Sequence, residues 1–576
     1  MRLFLPYTVV MFSAVLLTSF FLWGALADLA PPWFGRDKDG KPASGAVTSG
    51  DASCSRIGMD MIRRGGTAAD AAIATGFCLG VTVPDLTGIG GGGFALIRAA
   101  GSRNFSFVDF RETAPAAATE DMYKGREQDS VFGGLAVGIP GELRGLQYLH
   151  EKHGRLPWKM LVMPSVKLAR DGFAVGGYFG MSMATLSSNK FLFTDPNWAV
   201  DFAPNGTLAV TGQVITRKRY AATLENIAKH GPEAFYKGRM AEQTVKAVRG
   251  SGGIMSMDDL AGYSVLLRTT SEIRYRDYRV VSTSAPSGGP VVLSALKVVE
   301  GYADFGHPTS RNLSTHRLDE ALRFAYGQRT KLGDPAFVSG IEAYQESIIS
   351  DSTAINTRAK ISDEHTLPME VYNPDALEVL PTPGTSHLVA ADGSGMVVSL
   401  TSTVNTGFGS QLMVPESGII LNNEMNDFSI PGTGNFFGYE PSPNNFVRPG
   451  KRPQSSMTPV IVENFLTGEL VLALGGQGGS RIISSVMQVL WHLLDRGQNC
   501  SSAVETPRFH DQLQPNQALF PWVYDNSTVA FMQSRGHNVT WISWIQSAVH
   551  AVCRGQDGRF EVAGDPGQVG SGGAVQ

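Results

Sequence analysis

The chain has 576 residues and a formal net charge of −4, with acidic and basic residues spread throughout. No basic stripe offers a surface to nucleic acid and there is no acidic tail, so small soluble partners are favoured over polyanions. The length admits roughly two to four domains and a large buried core.

Residues 3–27 are almost entirely apolar, follow a single Arg2 and end in Ala25-Leu26-Ala27, a small-residue cleavage pattern that sends the chain into the secretory pathway. The run is also long enough to span a bilayer, so a cleaved signal peptide and a retained type II anchor with the folded body outside are both open. No later segment reads as a span. Residues 28–45, rich in Pro, Gly and charge, read as a linker. From Ser53 the pattern is helical, and Thr67-Ala68-Ala69-Asp70 has the form of a capping box ahead of an alanine-rich helix ending near Gly80.

The run Gly88-Ile89-Gly90-Gly91-Gly92-Gly93 satisfies the dinucleotide fingerprint, and Asp109 falls near the spacing expected of its acidic partner. That fingerprint opens a helix, whereas residues 94–98 and 105–110 read as two strands joined at Gly101-Ser102. The glycines are therefore read as a close-packed backbone turn. Residues 140–265 carry helical periodicity broken by Gly and Pro. Residues 278–281 read as a strand leading to Ala285-Pro286-Ser287-Gly288-Gly289 and a helix over 291–301.

Gly384-Thr385 opens a strand pattern that runs to Asp392, and a second strand ends in Ser402-Thr403-Val404-Asn405. A four-residue turn over Asp392–Gly395 would pair Ala391 with Met396 and set Thr385 opposite Ser402, bringing the Thr385 and Thr403 hydroxyls to one end of a hairpin. A threonine hydroxyl is a poor nucleophile at neutral pH, and one way to activate it is with its own α-amine, which requires cleavage at Gly384. Downstream, residues 418–421 and 470–474 read as strands. Residues 475–479 read as a glycine turn, and Ser480 opens a helix with Ile483, Val486, Met487, Leu490 and Leu494 on one face. Free N–H groups at such a helix start can stabilise an oxyanion. The chain is expected to end in another helix and a Gly-rich tail. Helices flanking sheets imply a layered α/β protein.

Glu424 and Asp427, three residues apart after an apolar strand, would point the same way from a single turn. Such carboxylates are commonly just solvated, and they would also suit a glycosidase or a metal site, but no His or Cys cluster lies at ligand spacing. Sequons at Asn104, Asn205, Asn312, Asn499, Asn526 and Asn538 suit export. In an oxidising compartment Cys54 and Cys78, close in sequence, are expected to form one bridge and Cys500 and Cys553 another, with free thiols the alternative for the second pair.

The order Gly-Thr-Ser-His at 384–387, Thr-Ser-Thr-Val-Asn at 401–405 and Asn-Asn-Glu-Met-Asn-Asp-Phe at 422–428 resembles the γ-glutamyltransferase family, a branch of the N-terminal nucleophile hydrolases. The resemblance runs from about residue 45 to the C-terminal tail. It implies a four-layer αββα sandwich and a precursor that cuts itself at Gly384–Thr385. The products would be a large chain within 28–384 and a small chain 385–576, joined as a heterodimer in one folded unit. It further implies that Thr385 is the nucleophile, that Thr403 hydrogen-bonds to it, and that Gly478 and Gly479 hold the oxyanion. Arg111, Ser455 and Ser456 would take the donor's α-carboxylate; Glu424, Asp427 and Asn405 would take its α-ammonium.

The Cys54–Cys78 pair matches a bridge position in animal members. Glutathione and other γ-glutamyl compounds would be donors, water and amino acids or dipeptides acceptors, and no cofactor is implied. His387, on the nucleophile's side by alternation, is read as a packed structural residue. Asn405-Thr406-Gly407-Phe408 lacks the tyrosine of animal members, which leaves acceptor preference open. A related N-terminal threonine acylase and a non-catalytic secreted glycoprotein of the same fold are the alternatives.

Overall fold

The structure, a computed structural model, describes residues 44–186, 190–380, 384–433 and 439–576. The leader or anchor expected over 1–27 and nearly all of the linker lie outside the described residues. Two antiparallel sheets form the centre. The first contains β1 (Gly45–Ser49), β2 (Gly92–Arg98), β3 (Phe105–Phe110) and β4 (Leu266–Arg268); the second begins with β5 (Thr270–Tyr275) and β6 (Tyr278–Thr283). After residue 384 come β7 (Ser386–Asp392), β8 (Val397–Thr403), β9 (Val460–Asn464), β10 (Leu470–Gln477), β11 (Ala548–Arg554), β12 (Phe560–Ala563) and β13 (Gly572–Val575). The order is β13-β1-β7-β8-β2-β3-β4 in the first sheet and β12-β11-β10-β9-β6-β5 in the second.

The inner faces meet through Leu96, Val389, Ala391 and Val397 from one sheet and Val281, Ile461, Ala473 and Val552 from the other. The alternate residues, such as Leu388, Ala390 and Val398, turn outward into a second core beneath helices. Because successive strand residues point to opposite faces and both faces are covered, the strands read as nearly continuous apolar runs. One outer layer includes α1 (Ala52–Arg63), α2 (Ala68–Thr82), α3 (Glu142–His153), α4 (Trp158–Asp171) and α5 (Lys218–His230). The other holds α6 (Gly289–Glu300), α7 (Arg311–Arg329) and α8 (Arg481–Leu494). The result is the αββα sandwich expected. The Thr67–Asp70 capping box starts α2, which is buried on all sides between β7, β8 and α4.

Three details differ from the sequence reading. The β7–β8 register pairs Ser386 with Ser402 and Ala391 with Val397, so Thr385 lies across from Thr403 rather than Ser402. Asp392 stays in the ladder because its carboxylate accepts the Ala68 and Ser394 N–H groups, its own N–H donates to Met396, and Gly395 closes the shorter loop at φ +82°. Residues 475–477 belong to strand β10, leaving only Gly478 and Gly479 as the turn. The Gly-rich tail forms β13 on the open edge of β1, where a side chain at Gly573 would strike Val562.

Both disulfides, Cys54–Cys78 and Cys500–Cys553, are present. The sequon asparagines are exposed except Asn312, which is half-buried and accepts a hydrogen bond from Thr528. Among the described residues no helix is long and apolar enough to cross a membrane.

Candidate active site

Thr385 sits one residue ahead of central strand β7, buried, with its hydroxyl donating to Thr403 Oγ1 at 3.4 Å. Thr403 Oγ1 also accepts the Asn405 N–H at 2.8 Å, which fixes its orientation. On the other side of the Gly384–Thr385 peptide, the Gly384 carbonyl accepts the N–H groups of Gly478 at 2.8 Å and Gly479 at 3.2 Å. Strand β10 ends at Gln477, and φ values of +113° and +61° at the two glycines turn successive N–H groups toward the same oxygen. The Tyr326 hydroxyl holds this turn through the Ser480 carbonyl. A hydroxyl and a doubly hydrogen-bonded carbonyl are thus brought together, as an acyl transfer needs.

The backbone here is constrained. A Cβ at Gly384 would fall 1.4 Å from the Asn405 carbonyl oxygen, so only glycine fits. Thr385, β-branched, is held at φ +93°. A side chain of this kind rarely adopts that region, at a cost on the order of 1–3 kcal/mol. Breaking the 384–385 bond abolishes that dihedral angle and the strain with it.

The Gly90–Gly93 run opens strand β2 rather than a helix, which removes the dinucleotide reading. Cβ atoms at Gly90 and Gly91 would lie 2.0 Å and 1.9 Å from the carbonyl oxygens of Ile420 and Thr403, so the run is the floor on which the Thr403 end of β8 rests. His387 packs between the sheets against Gly475, with Nδ1 on Thr401 Oγ1 at 2.9 Å. Burial holds its ring neutral, well below the usual histidine range. Glu142, beneath Ser402 and Thr87, is raised by burial to about 7.

Arg111 follows β3, and a short 3-10 turn over Glu424–Asp427 presents both carboxylates to it. One guanidinium nitrogen meets Glu424 and the other Asp427, the latter at 2.5 Å. Asn422 anchors the turn, binding the Gly90 and Gly138 carbonyls through its side-chain nitrogen and accepting the Glu424 N–H. Arg452 ties the serine-bearing loop to the end of β3 through Asp109 and the Arg111 carbonyl.

Arg111, Thr385, Thr403, Asn405, Glu424, Asp427, Ser455, Ser456 and Gly479 line one small cleft, while Gly478 and Gly384 line a larger cavity next to it. Burial raises Asp427, and raises Glu424 well above the usual carboxylate range, against the pull of Arg111, and it raises Glu112 to about 8. Desolvation works against the Arg111 charge, but Glu424, Asp427 and Glu112 outweigh it and raise its pKa. Two carboxyl groups facing one guanidinium leave room for one more cation.

Sequence reasoning missed Arg329. Its Nη2 donates to Ser456 Oγ at 3.0 Å, and Asp427 opposes the desolvation that lowers its pKa. A signal existed: Arg323, Tyr326 and Arg329 recur every three residues, a buried polar stripe along α7. Also missed were His316, Glu320 and His537, whose ligand atoms gather within 4.8 Å away from the cleft. There His316 Nδ1 meets His537 Nε2 at 2.7 Å and His316 Nε2 meets the Ser362 carbonyl at 2.7 Å, so hydrogen bonding accounts for the cluster.

Two face-to-face sheets between helical layers, with a threonine at the head of a central strand and paired backbone donors across from it, are the arrangement of the N-terminal nucleophile hydrolases. A cephalosporin acylase from Bacillus halodurans shares the fold at a TM-score of 0.81 and 26% identity, over 92% of this chain and 96% of its own. The family described as gamma-glutamyltranspeptidase matches residues 54–575, and the chain belongs to it. A glutathione hydrolase proenzyme of Arthroderma benhamiae is 49% identical over 97% of this chain and 97% of its own, and a glutathione hydrolase of Aspergillus flavus is 45% identical over 94% and 91%.

Proposed function

We propose that the protein is an exported precursor that cuts itself between Gly384 and Thr385 and then works as a glutathione hydrolase and γ-glutamyltransferase. The observation that carries this reading is the Gly384 carbonyl, hydrogen-bonded to two backbone N–H groups beside the Thr385 hydroxyl. In maturation Thr385 Oγ attacks the Gly384 carbonyl carbon, with the oxyanion held by Gly478 and Gly479. The C–N bond breaks as the Thr385 nitrogen takes a proton, and water hydrolyses the resulting ester. The products are a carboxylate at Gly384 and a free α-amine on Thr385.

In turnover that amine takes the Thr385 hydroxyl proton while Thr403 orients the oxygen, and Oγ attacks the γ-amide of glutathione or a related donor. The departing amine leaves protonated. The γ-glutamyl ester then passes to water or to the amine of an amino acid or dipeptide.

Donor recognition follows from the charge pattern of the small cleft. Arg111 pairs with Glu424 and Asp427. An α-amino acid end carries both signs, so it can insert between them, its carboxylate on Arg111, Ser455 and Ser456 and its ammonium on Glu424, Asp427 and Asn405. One internal pairing becomes two, with no charge left bare. A ligand lacking either end would leave a buried charge unpaired.

The likeness to an acylase at 26% identity supports a second reading, an N-terminal threonine acylase for other amides. Such an enzyme has no use for the zwitterion-reading set. Export is supported by the apolar leader, the exposed sequons and both disulfides.

The test is a denaturing gel of the expressed protein with sequencing of the smaller band. Neither disulfide crosses residue 384, so two bands are expected with or without reductant, the smaller beginning at Thr385. Thr385→Ala should remain a single inactive chain. Normal cutting of that variant would end the autocatalytic reading, and a wild type that cleaves cephalosporin amides but no γ-glutamyl amide would favour the acylase.

A further inference from the structure

Helix α7 lies before the proposed cut, and its buried polar stripe meets residues that follow it. Arg323 pairs with Asp511 at 2.8 Å and binds the Asn516 side chain, Tyr326 holds the Ser480 carbonyl, and Arg329 reaches Ser456. At the other end of the stripe His537, just beyond the helix Asn526–Ser534, inserts between His316 and Asp319. His316, Asp319 and Glu320 share one face of a single turn, which brackets the incoming ring.

The protons on these groups can be counted. A carbonyl only accepts, so the His316 Nε2 that meets the Ser362 carbonyl at 2.7 Å carries a hydrogen, and in a neutral ring its Nδ1 is then bare. That nitrogen lies 2.7 Å from His537 Nε2, which must supply the hydrogen between them. His537 Nδ1 is bare in turn, and it lies 2.9 Å from Asp319 Oδ2. Both atoms are buried and have no other hydrogen-bond partner, so Asp319 completes the line as a carboxylic acid. Burial acts in the same sense on each group, raising Asp319 to about 7 and lowering both histidines to about 4.

The groups around the line are committed elsewhere. Glu320 Oε1 is 4.0 Å from His537 Nε2 but accepts the Tyr372 and Thr366 hydroxyls. Arg323 faces Asp511, Arg317 faces Asp363, Arg535 faces Glu364, and His365 lies on the Ser362 hydroxyl. A fourth proton therefore either places two hydrogens in the 2.7 Å contact or leaves an imidazolium in the interior, and both are unfavourable.

Resting on the self-cutting reading, we propose that the line from Ser362 through His316 and His537 to Asp319 is an acid-sensitive latch holding the small chain to α7. It closes on three protons, and acidification opens it because a ring freed from the junction takes up a proton that it cannot hold inside. A histidine with a depressed folded pKa contributes its full stability above the unfolded value of 6.5 and loses it as pH falls toward 4. Asp319, raised from 3.8, offsets one of the two histidines over that range, so release takes up about one proton and shifts about tenfold per pH unit. Because α7 also carries Tyr326 and Arg329, opening the latch withdraws the supports of the oxyanion turn and of Ser456.

The test follows release of the small chain from the mature enzyme in dilute urea, by size-exclusion chromatography at pH 7 and pH 5. His537→Gln keeps both contacts, since its amide nitrogen donates to His316 and its amide oxygen accepts from Asp319, but it takes up no proton. Release should accelerate on acidification about tenfold more in wild type than in this variant, with the two rates within about threefold of each other at pH 7. If that variant does not fold, His316→Gln replaces it, its amide serving Ser362 and His537 in the same way.

Equal acceleration in wild type and variant, within about twofold, overturns the proposal, as does a wild type indifferent to pH. A wild type that stays one chain overturns the self-cutting reading instead. The latch is then read in that chain from urea midpoints at the two pH values, where a wild type no more acid-sensitive than the variant overturns it.

Discussion

The donor cleft is small and crowded with charges that already pair one another, whereas the neighbouring cavity is about 260 Å³, walled in part by Tyr178 and Trp544, with Arg481 and Asp85 unpaired. On the proposed reading, mutually neutralised groups admit only a ligand that reproduces both halves of the pairing. The roomier cavity imposes no such double match.

The sharpest way to break this comparison is to unbalance the crowded side. Asp427→Asn leaves the cut site intact, so the variant should mature, yet truncating one partner of a buried charged set costs about 2 to 5 kcal/mol, or tens to thousands in kcat/KM for γ-glutamyl donors. Removing the α-amine from the donor should then penalise wild type far more than the variant; equal penalties would show that Asp427 does not read the amine.

Next in size is an effect of pH on the roomier side. Asp85 has a folded pKa of about 7, raised by burial from 3.8. Between those values the native state binds more protons than the unfolded state, so its contribution is fully favourable only below pH 4 or so and is lost as pH rises toward 7. In the uncut Thr385→Ala chain, urea unfolding should show stability falling about 2 to 3 kcal/mol more between pH 5 and pH 8 than in the same chain carrying Asp85→Asn. Parallel pH profiles would place Asp85 in a more solvated setting.

Two smaller effects separate the sides further. Arg329→Met removes the donor to Ser456 Oγ and should raise the donor KM about tenfold with less change in kcat, read from steady-state kinetics. Trp544→Ala should raise the acceptor concentration needed for half-maximal transfer only about two- to tenfold, measured with a dipeptide series. A Trp544→Ala effect confined to the donor KM would mean that the two spaces are not divided as described.

The reaction centre was the most legible part of the chain because it is built from short motifs. Gly384-Thr385, the Thr403 hairpin end and Gly478-Gly479 each announce a local geometry. Even there the hairpin register was one residue off, because the carboxylate of Asp392 is held by the start of α2, a contact no hairpin rule contains. The glycine run at 88–93 gave a false dinucleotide match that only the following strand corrected.

The charged residues were legible one at a time but not as a set. That Glu424 and Asp427 are buried on Arg111, rather than solvated, depends on chain segments more than 300 residues apart. Arg329 gave only the three-residue recurrence with Arg323 and Tyr326, and its significance comes from what the tertiary fold places opposite it.

The sheets themselves carry a further consequence. In the first, β1 to β4 precede the cut while β7, β8 and β13 follow it; in the second, β5 and β6 precede it and β9 to β12 follow. While the chain is whole, these strands find each other under a covalent tether that keeps their effective concentration high. On the proposed cut at Gly384–Thr385, the same opening of the sheets would become a dissociation, because no disulfide crosses residue 384. Reassembly then depends on encounter between separate chains, at whatever dilution the surroundings impose. On the proposed reading the mature molecule would thus be made by a unimolecular folding reaction that its own activation removes, and its lifetime would be governed by how slowly the interleaved sheets first come open.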